Sequence, residues 1–262
     1  MNQAMWISKT GLQAQDAKLQ EIANNLANVN TVGFKRDRLI FSDLSYQVEQ
    51  QPGGQQTANV ISPSGIQLGT GTRLVGSEKV FTAGNLQHTG QQFDVAIDGN
   101  GFLEVQQDSG DSAYTRAGQL HLSPNGQLVN QQGLLIQPGI TVPQDATSIT
   151  IGEDGTVTAT QAGSSTPTQL GKLQLANFIN PAGLLALGDN LYQETVASGQ
   201  PIEGDPGTNG LGKIKQGFTE ASNVQVVEEM VDMIAAQRTY EMNTKVLTAA
   251  DNMLQQLSQV AR

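Results

Sequence analysis

Residues 226–261 read VVEEMVDMIAAQRTYEMNTKVLTAADNMLQQLSQVA, with no glycine and no proline. Val226, Met233, Tyr240, Leu247, Leu254 and Ala261 fall seven apart. A seven-residue apolar beat marks a helix that seeks another helix along one seam. Ala236, Val246, Ala250, Met253, Leu257 and Val260 broaden the stripe. The pattern predicts one helix over 221–261, with Ser222 or Asn223 as N-cap. Glu228, Glu229 and Asp232 sit early in it, where the helix dipole favours anions. Some forty helical residues would span about 60 Å. A compact β domain of this size does not cover that length.

The same beat recurs at the other end. Met5, Leu12, Leu19 and Leu26 are seven apart, and Ile22, Ala23 and Val29 widen the stripe. A helix is expected over 3–28. It should stop in the run Asn24-Asn25-Leu26-Ala27-Asn28-Val29-Asn30, with Gly33 just beyond. Asparagine suits such a stop because it tolerates left-handed backbone and binds nearby peptide groups.

Between the helices the signal is β. Residues 39–48 suit a short strand or a helical turn. Residues 49–72 are polar and Gly-rich, punctuated by Pro52-Gly53-Gly54 and Pro63-Ser64-Gly65. A structureless loop of that length inside a compact domain is uncommon, so it is either disordered or has a job. From 73 to 218, short strands alternate with turns. Phe93–Ile97 alternates, Asp98–Gly101 turns, and Phe102–Val105 follows. Gln119–Val129 and Ser148–Ala159 read as hairpins about Ser123–Gly126 and Gly152–Gly155. Leu170–Phe178 and Leu191–Thr195 supply further strands. The expected class is α+β: long terminal helices forming a coiled-coil-like inner domain (1–35 with 219–262), an extended connecting segment (36–72), and an antiparallel β-rich outer domain (73–218).

The formal net charge of −10 argues against nucleic-acid binding, which needs a basic face. Residues 1–38 carry five basic and three acidic side chains, residues 221–262 three and five, and the middle six and sixteen. The ends cancel, and opposite signs favour their association. There is no cysteine, so no disulfide or thiolate chemistry is possible. No apolar run reaches the length of a membrane span, so no direct membrane insertion is expected, and the N-terminus lacks the apolar core of a cleaved signal peptide.

Catalytic motifs are weak. Gly207-Thr208-Asn209-Gly210-Leu211-Gly212-Lys213 has phosphate-loop spacing, but Ile214 stands where Ser or Thr would hold a metal. A tight Gly-rich connection is the better reading. His88 and His121 lie in no metal or triad spacing. Asp94 and Asp98 are four apart on an expected strand and share a face, where turn chemistry explains Asp98. No cofactor or metal is expected, and the chain reads as a non-enzyme.

The residues Ile22 through Arg36, which include Asn24, Asn25, Asn28, Asn30, Gly33, Phe34 and Lys35, resemble the N-terminal signature of the bacterial flagellar rod and hook axial family. Asn223, Glu228, Glu229, Gln237, Arg238, Tyr240 and Glu241 resemble its C-terminal signature. Asp94–Ile97, Gly101-Phe102, Tyr114-Thr115-Arg116 and Asn125-Gly126 are similar to its central β domain. Tyr46-Gln47, Gln51, Pro52 and Gly53, then Pro63, Gly65 and the run to Gly71, resemble a segment that sets the family's distal-rod branch apart from the hook. The larger proximal rod subunit is the nearest competitor, and a free secreted binding protein is the alternative from another class.

The resemblance implies a hollow, self-assembling helical tube of many copies that carries motor torque across the periplasm. It implies proximal rod proteins below, hook protein above, periplasmic and outer-membrane rings as a bushing, and release through the flagellar type III export apparatus. The terminal helices would form the inner tube. Gln237, Asn243, Thr244, Gln255, Gln256 and Gln259 would give the channel a polar lining, and the 46–71 segment would stiffen the shaft. The expected assembly seam is Met5, Leu12, Leu19, Ile22, Leu26, Val226, Met233, Tyr240, Leu247, Leu254 and Leu257.

Overall fold

The structure is a computed structural model that describes residues 3–51, 53, 55–57, 60–61, 64–161 and 166–260. Among these, no helix is long and apolar enough to cross a membrane. The chain divides into two compact units. One comprises Met1–Leu26, Asp37–Glu78 and Val226–Arg262; the other comprises Ala27–Arg36 and Lys79–Gln225.

The helical unit contains α1 (Gln3–Ala27) and α2 (Val226–Val260). The N-terminal helix agrees with the expected 3–28. The C-terminal helix is 35 residues long and starts later than the sequence suggests. Neither Ser222 nor Asn223 caps it. The Asn223 side chain accepts from Arg36 N at 2.8 Å and donates to Val80 O at 2.7 Å. An amide committed to two backbone segments is not free to cap a helix, and residues 221–225 stay outside any helix or strand.

The two helices run antiparallel and touch through small and polar side chains. Gly11 lies against Asn243: a Cβ on the glycine would meet Asn243 Nδ2 at 3.1 Å. Lys18 Nζ lies 3.9 Å from Asp232 Oδ2. The residues most covered are Ser8, Ala14, Ile22 and Asn25 on α1, and Glu229, Ala236 and Ala250 on α2.

The described residues between 37 and 79 include nested strand pairs. Asp37–Asp43 pairs with Thr72–Lys79, Tyr46–Gln50 with Ile66–Gly69, and Gln55–Thr57 with Val60–Ile61. Strand-forming Leu39-Ile40-Phe41 and Leu74-Val75 supply the outer pair. Two-stranded ribbons are marginal alone in water.

The β-rich unit holds both apolar cores. A nine-stranded sheet runs through Phe102–Gln106, Ser112–Thr115 and Leu191–Gln193. A three-stranded sheet holds Ala146–Ile151, Thr156–Gln161 and Thr168–Lys172. Val95, Ile97, Leu103, Val105, Leu128, Ile136, Val157, Leu173 and Ile214 pack in the larger core. Phe102, Tyr114, Phe178 and Tyr192 form the smaller, with ring edges against ring faces. Both expected hairpins are present: His121–Leu122 with Leu128–Val129, and Ala146–Ile151 with Thr156–Gln161.

One local expectation differs. Val95, Ala96 and Ile97 are all buried, so that strand is covered on both faces instead of alternating. It pairs with Lys213–Gln216, more than a hundred residues away by sequence, which local pattern does not reveal. Asp94 and Asp98 form no dyad. Asp94 accepts the Thr89 hydroxyl at 2.6 Å, while Asp98 pairs with Lys215 at 2.6 Å. The 207–213 loop is a tight connection into the strand Lys213–Gln216, and Lys213 is engaged by Glu153 at 2.8 Å.

Candidate functional site: an assembly surface and a buried anchor

The helical unit buries little of its apolar surface. Its buried apolar side chains in the described residues are Ala14, Ile22, Ala236 and Ala250. Against these stand exposed Trp6, Ile7, Ile40, Phe41, Tyr46, Val48, Ile66, Leu68, Leu74 and Val75. On α2, Val226, Val227, Met230, Val231, Ile234, Tyr240, Met242, Val246, Met253 and Leu254 are exposed as well. Exposed apolar side chains in this number mark an interaction surface.

The 3.6-residue period sorts α2 into two faces. Glu229, Ala236, Asn243 and Ala250 share the face turned to α1, with Met233 and Leu247 partly covered beside them. In the first turns of α2, Val227, Met230, Val231 and Ile234 fall on the opposite side, all exposed. Beyond them that side carries Arg238, Glu241 and Lys245. Thus the start of α2 holds an apolar patch on the side away from α1.

The expected seam residues are distributed accordingly. Ile22 is buried; Met5, Leu12, Leu19, Leu26, Met233 and Leu247 are half-buried; Val226, Tyr240 and Leu254 are exposed. The Leu257 side chain lies outside the described residues, as do Pro52 and Pro63. Gln51, Gly53 and Gly65 are described, with Gln51 and Gly53 exposed and Gly65 half-buried. Asn243, expected to line a channel, instead faces Gly11. A helix interface that admits a glycine brings the backbones close, and the asparagine fills the space left by the missing side chain.

The signature asparagines are backbone clamps. Asn25 is buried, donates to Asp37 O at 3.1 Å and accepts from Asp37 N at 2.9 Å, imitating a strand partner. Asn24 Nδ2 reaches Asp37 Oδ2 at 3.2 Å. Asn28 Oδ1 accepts the Thr31 hydroxyl at 3.1 Å, and Asn30 is exposed. Glu228, Gln237, Arg238 and Glu241 are exposed on α2, while Glu229 is buried.

Within the β-rich unit an ionic cluster anchors the chain where residues 33–36 and 217–223 converge. Lys35 and Glu220 side chains are 0% and 1% exposed. Lys35 Nζ donates to Glu220 Oε1 at 2.6 Å and to Thr82 O at 2.7 Å. Arg116 Nη1 reaches Glu220 Oε2 at 3.3 Å, and Nη2 donates to Gly99 O at 2.8 Å. Gly84 N completes the carboxylate's shell at 2.8 Å. Burial pushes the Lys35 ammonium below its ordinary pKa, with Glu220 opposing. Arg116 moves the same way for the same reason. One carboxylate faces two cations in a dry site, so each partner depends on the others.

Two glycines permit this approach. Gly33 adopts φ +72, and a Cβ there would sit 2.7 Å from Ala117 N. A Cβ on Gly84 would sit 1.9 Å from Ala221 O. Gly33 N also donates to Glu220 O at 2.8 Å. Sequence reading found Lys35 and Arg116 only as family motif residues and missed Glu220. A lone Glu between a β run and a helix carries no local sign of a partner 185 residues away.

No His, Cys, Asp and Glu cluster able to hold a metal is present among the described residues. Three stretches match known families: residues 5–35 the flagella basal body rod protein family, 96–159 the flagellar hook protein FlgE/F/G D1 domain, and 215–260 the flagellar basal body rod FlgEFG protein C-terminal family. The flagellar basal-body rod protein FlgG of Buchnera aphidicola subsp. Baizongia pistaciae is 52% identical, covering 97% of this chain and 98% of the relative. That of Borreliella burgdorferi is 44% identical over 97% of each, and that of Bacillus subtilis 37% identical over the full length of both.

The chain belongs to the flagellar basal-body rod FlgG family.

Members of this family are structural, and this chain is a distal-rod structural subunit of the flagellar basal body, assembled there with other flagellar proteins. The family match at 5–35 ends on Lys35 of the buried anchor, and that at 215–260 takes in Glu220 and the whole of α2.

Proposed function

We propose that this FlgG-family subunit polymerises through the apolar faces of its helical unit into a hollow helical shaft. The shaft carries motor torque across the periplasm to the hook and lets exported proteins pass along its axis. α1 and α2 form the inner tube, residues 36–72 bridge to neighbours and stiffen it, and the β-rich segment packs outside. Proximal rod proteins join below and hook protein above, the surrounding rings act as a bushing, and the subunit reaches its place through the flagellar type III export apparatus. Its role is mechanical, not enzymatic.

The observation that supports this reading is the exposed apolar patch at the start of α2. Val227, Met230, Val231 and Ile234 are exposed on the side away from α1. Such a patch leaves water when a second neighbour covers it. In a homopolymer that neighbour is another copy, and repetition of a head-to-tail contact gives an open helix rather than a closed dimer. A charge at Val231 should block polymerisation of the purified chain, followed by sedimentation and electron microscopy, with the near-ultraviolet spectrum of Tyr114 and Tyr192 unchanged. A charge at exposed Ile179 of the β-rich unit should leave assembly intact. Tubes of normal length from Val231→Asp would overturn the reading.

A further inference from the structure

We infer that Asn209 is a built-in site of spontaneous amide loss, where the side chain closes on the backbone nitrogen of Gly210 and opens with water to a carboxylate. The inference is independent of the assembly reading.

The chain holds three Asn-Gly pairs: Asn100-Gly101, Asn125-Gly126 and Asn209-Gly210. Glycine favours the reaction because no Cβ obstructs approach to its nitrogen. The reaction also needs that nitrogen free and the segment able to move. Gly126 fails the first condition, since its N–H is held by Ser123 O at 2.8 Å. It is also crowded, with Val142 O 2.6 Å from where a Cβ would stand. Gly101 fails the second. It is buried, with Leu175 and Leu211 each 3.3 Å from its would-be Cβ.

Asn209 and Gly210 meet both. Both are exposed, and no atom lies within 4 Å of a Cβ built on Gly210. The turn is closed around them, by Thr208 N to Asp205 O at 3.2 Å and Leu211 N to Thr208 O at 2.8 Å. Neither the Asn209 amide nor the Gly210 N–H has a hydrogen-bond partner among the described residues. Asn209 is also one of three non-glycine residues with positive φ among the described residues, at +50°, so its backbone starts in a strained region.

The steps balance without any co-reactant but water. The Gly210 nitrogen attacks Asn209 Cγ, a C–N bond forms, and the side-chain amide departs as ammonia with the backbone proton. The cyclic imide then adds water at either carbonyl, giving aspartate or its β-linked isomer. Each product adds one negative charge, and the isomer adds a methylene to the main chain. The change falls next to the strand Lys213–Gln216, the partner of buried Val95–Asp98.

The test is peptide mass mapping of the intact, folded chain held at mildly alkaline pH and body temperature. The peptide bearing Asn209 should gain the amide-to-acid mass several-fold faster than those bearing Asn125 and Asn100, and should be labelled by an isoaspartyl methyltransferase. In denaturant the three rates should converge. Asn209→Gln should remove the early product while leaving the circular dichroism spectrum unchanged. Earlier conversion of Asn125 or Asn100 in the folded chain, or equal rates at all three, would overturn the inference.

Discussion

Replacing Glu220 with glutamine tests the buried anchor with almost no change of shape. The carboxylate accepts from Lys35 Nζ at 2.6 Å, Arg116 Nη1 at 3.3 Å and Gly84 N at 2.8 Å. The amide removes the one negative charge facing two cations and turns an acceptor into a donor aimed at another donor. Lys35 and Arg116 are almost wholly enclosed, so water does not compensate them. Leaving a buried charge without its partner costs about 3–5 kcal/mol. Urea unfolding followed through the near-ultraviolet bands of Tyr114 and Tyr192 reads the β-rich unit in which the cluster sits. Lys35→Met should cost less, because Glu220 keeps Arg116 and Gly84. The double variant should cost less than the sum of the singles, with a coupling of about 0.5–3 kcal/mol. A loss below about 1 kcal/mol for Glu220→Gln, or strict additivity in the cycle, would refute a dependence of the anchor on its one carboxylate.

Asn223→Leu should destabilise the same unit by about 1–3 kcal/mol, because Arg36 N and Val80 O lose their partner; equal denaturation midpoints would show that other partners replace it. Gly84→Ala should cost more than about 3 kcal/mol, since its Cβ meets the Ala221 carbonyl, while Gly76→Ala, in open space, should be neutral or stabilising by about 0.4–1 kcal/mol; thermal melts separate them. The Tyr114 phenol is raised well above 10.0 by burial first and by Glu104, Glu194 and Glu203 next. Above that pH the unfolded chain sheds the proton and the native chain keeps it, so stability should fall as pH rises; Tyr114→Phe should flatten that limb, and an unchanged limb would assign it elsewhere.

The helices were legible because period and the absence of Gly and Pro are local properties. Their boundaries were legible only where the stop is local, as in the asparagine run after Ile22. The start of α2 was misplaced because Asn223 is claimed by Arg36 and Val80, which are far away in sequence. The seven-residue beat located the helix–helix seam to within one side of the helix. The most covered positions are Ser8, Ala14, Ile22 and Asn25 on α1 and Glu229, Ala236 and Ala250 on α2, with Gly11 against Asn243, and only Ile22, Ala236 and Ala250 of these belong to the apolar stripes. Small and polar residues there permit close backbones, and the larger apolar residues are displaced to the flanks and the far face. Hairpins about Ser123–Gly126 and Gly152–Gly155 were legible from turn chemistry. The pairing of Val95–Asp98 with Lys213–Gln216 and the Lys35–Glu220–Arg116 cluster were not, since both join residues with no shared local pattern.

An image reconstruction of the assembled shaft at side-chain resolution bears most directly on polymerisation through the free face of α2. Val227, Met230, Val231 and Ile234 should each be covered by side chains of a neighbouring copy, while the contact of Gly11 with Asn243 stays within one chain. A shaft in which those four residues face open channel or bulk solvent would contradict it.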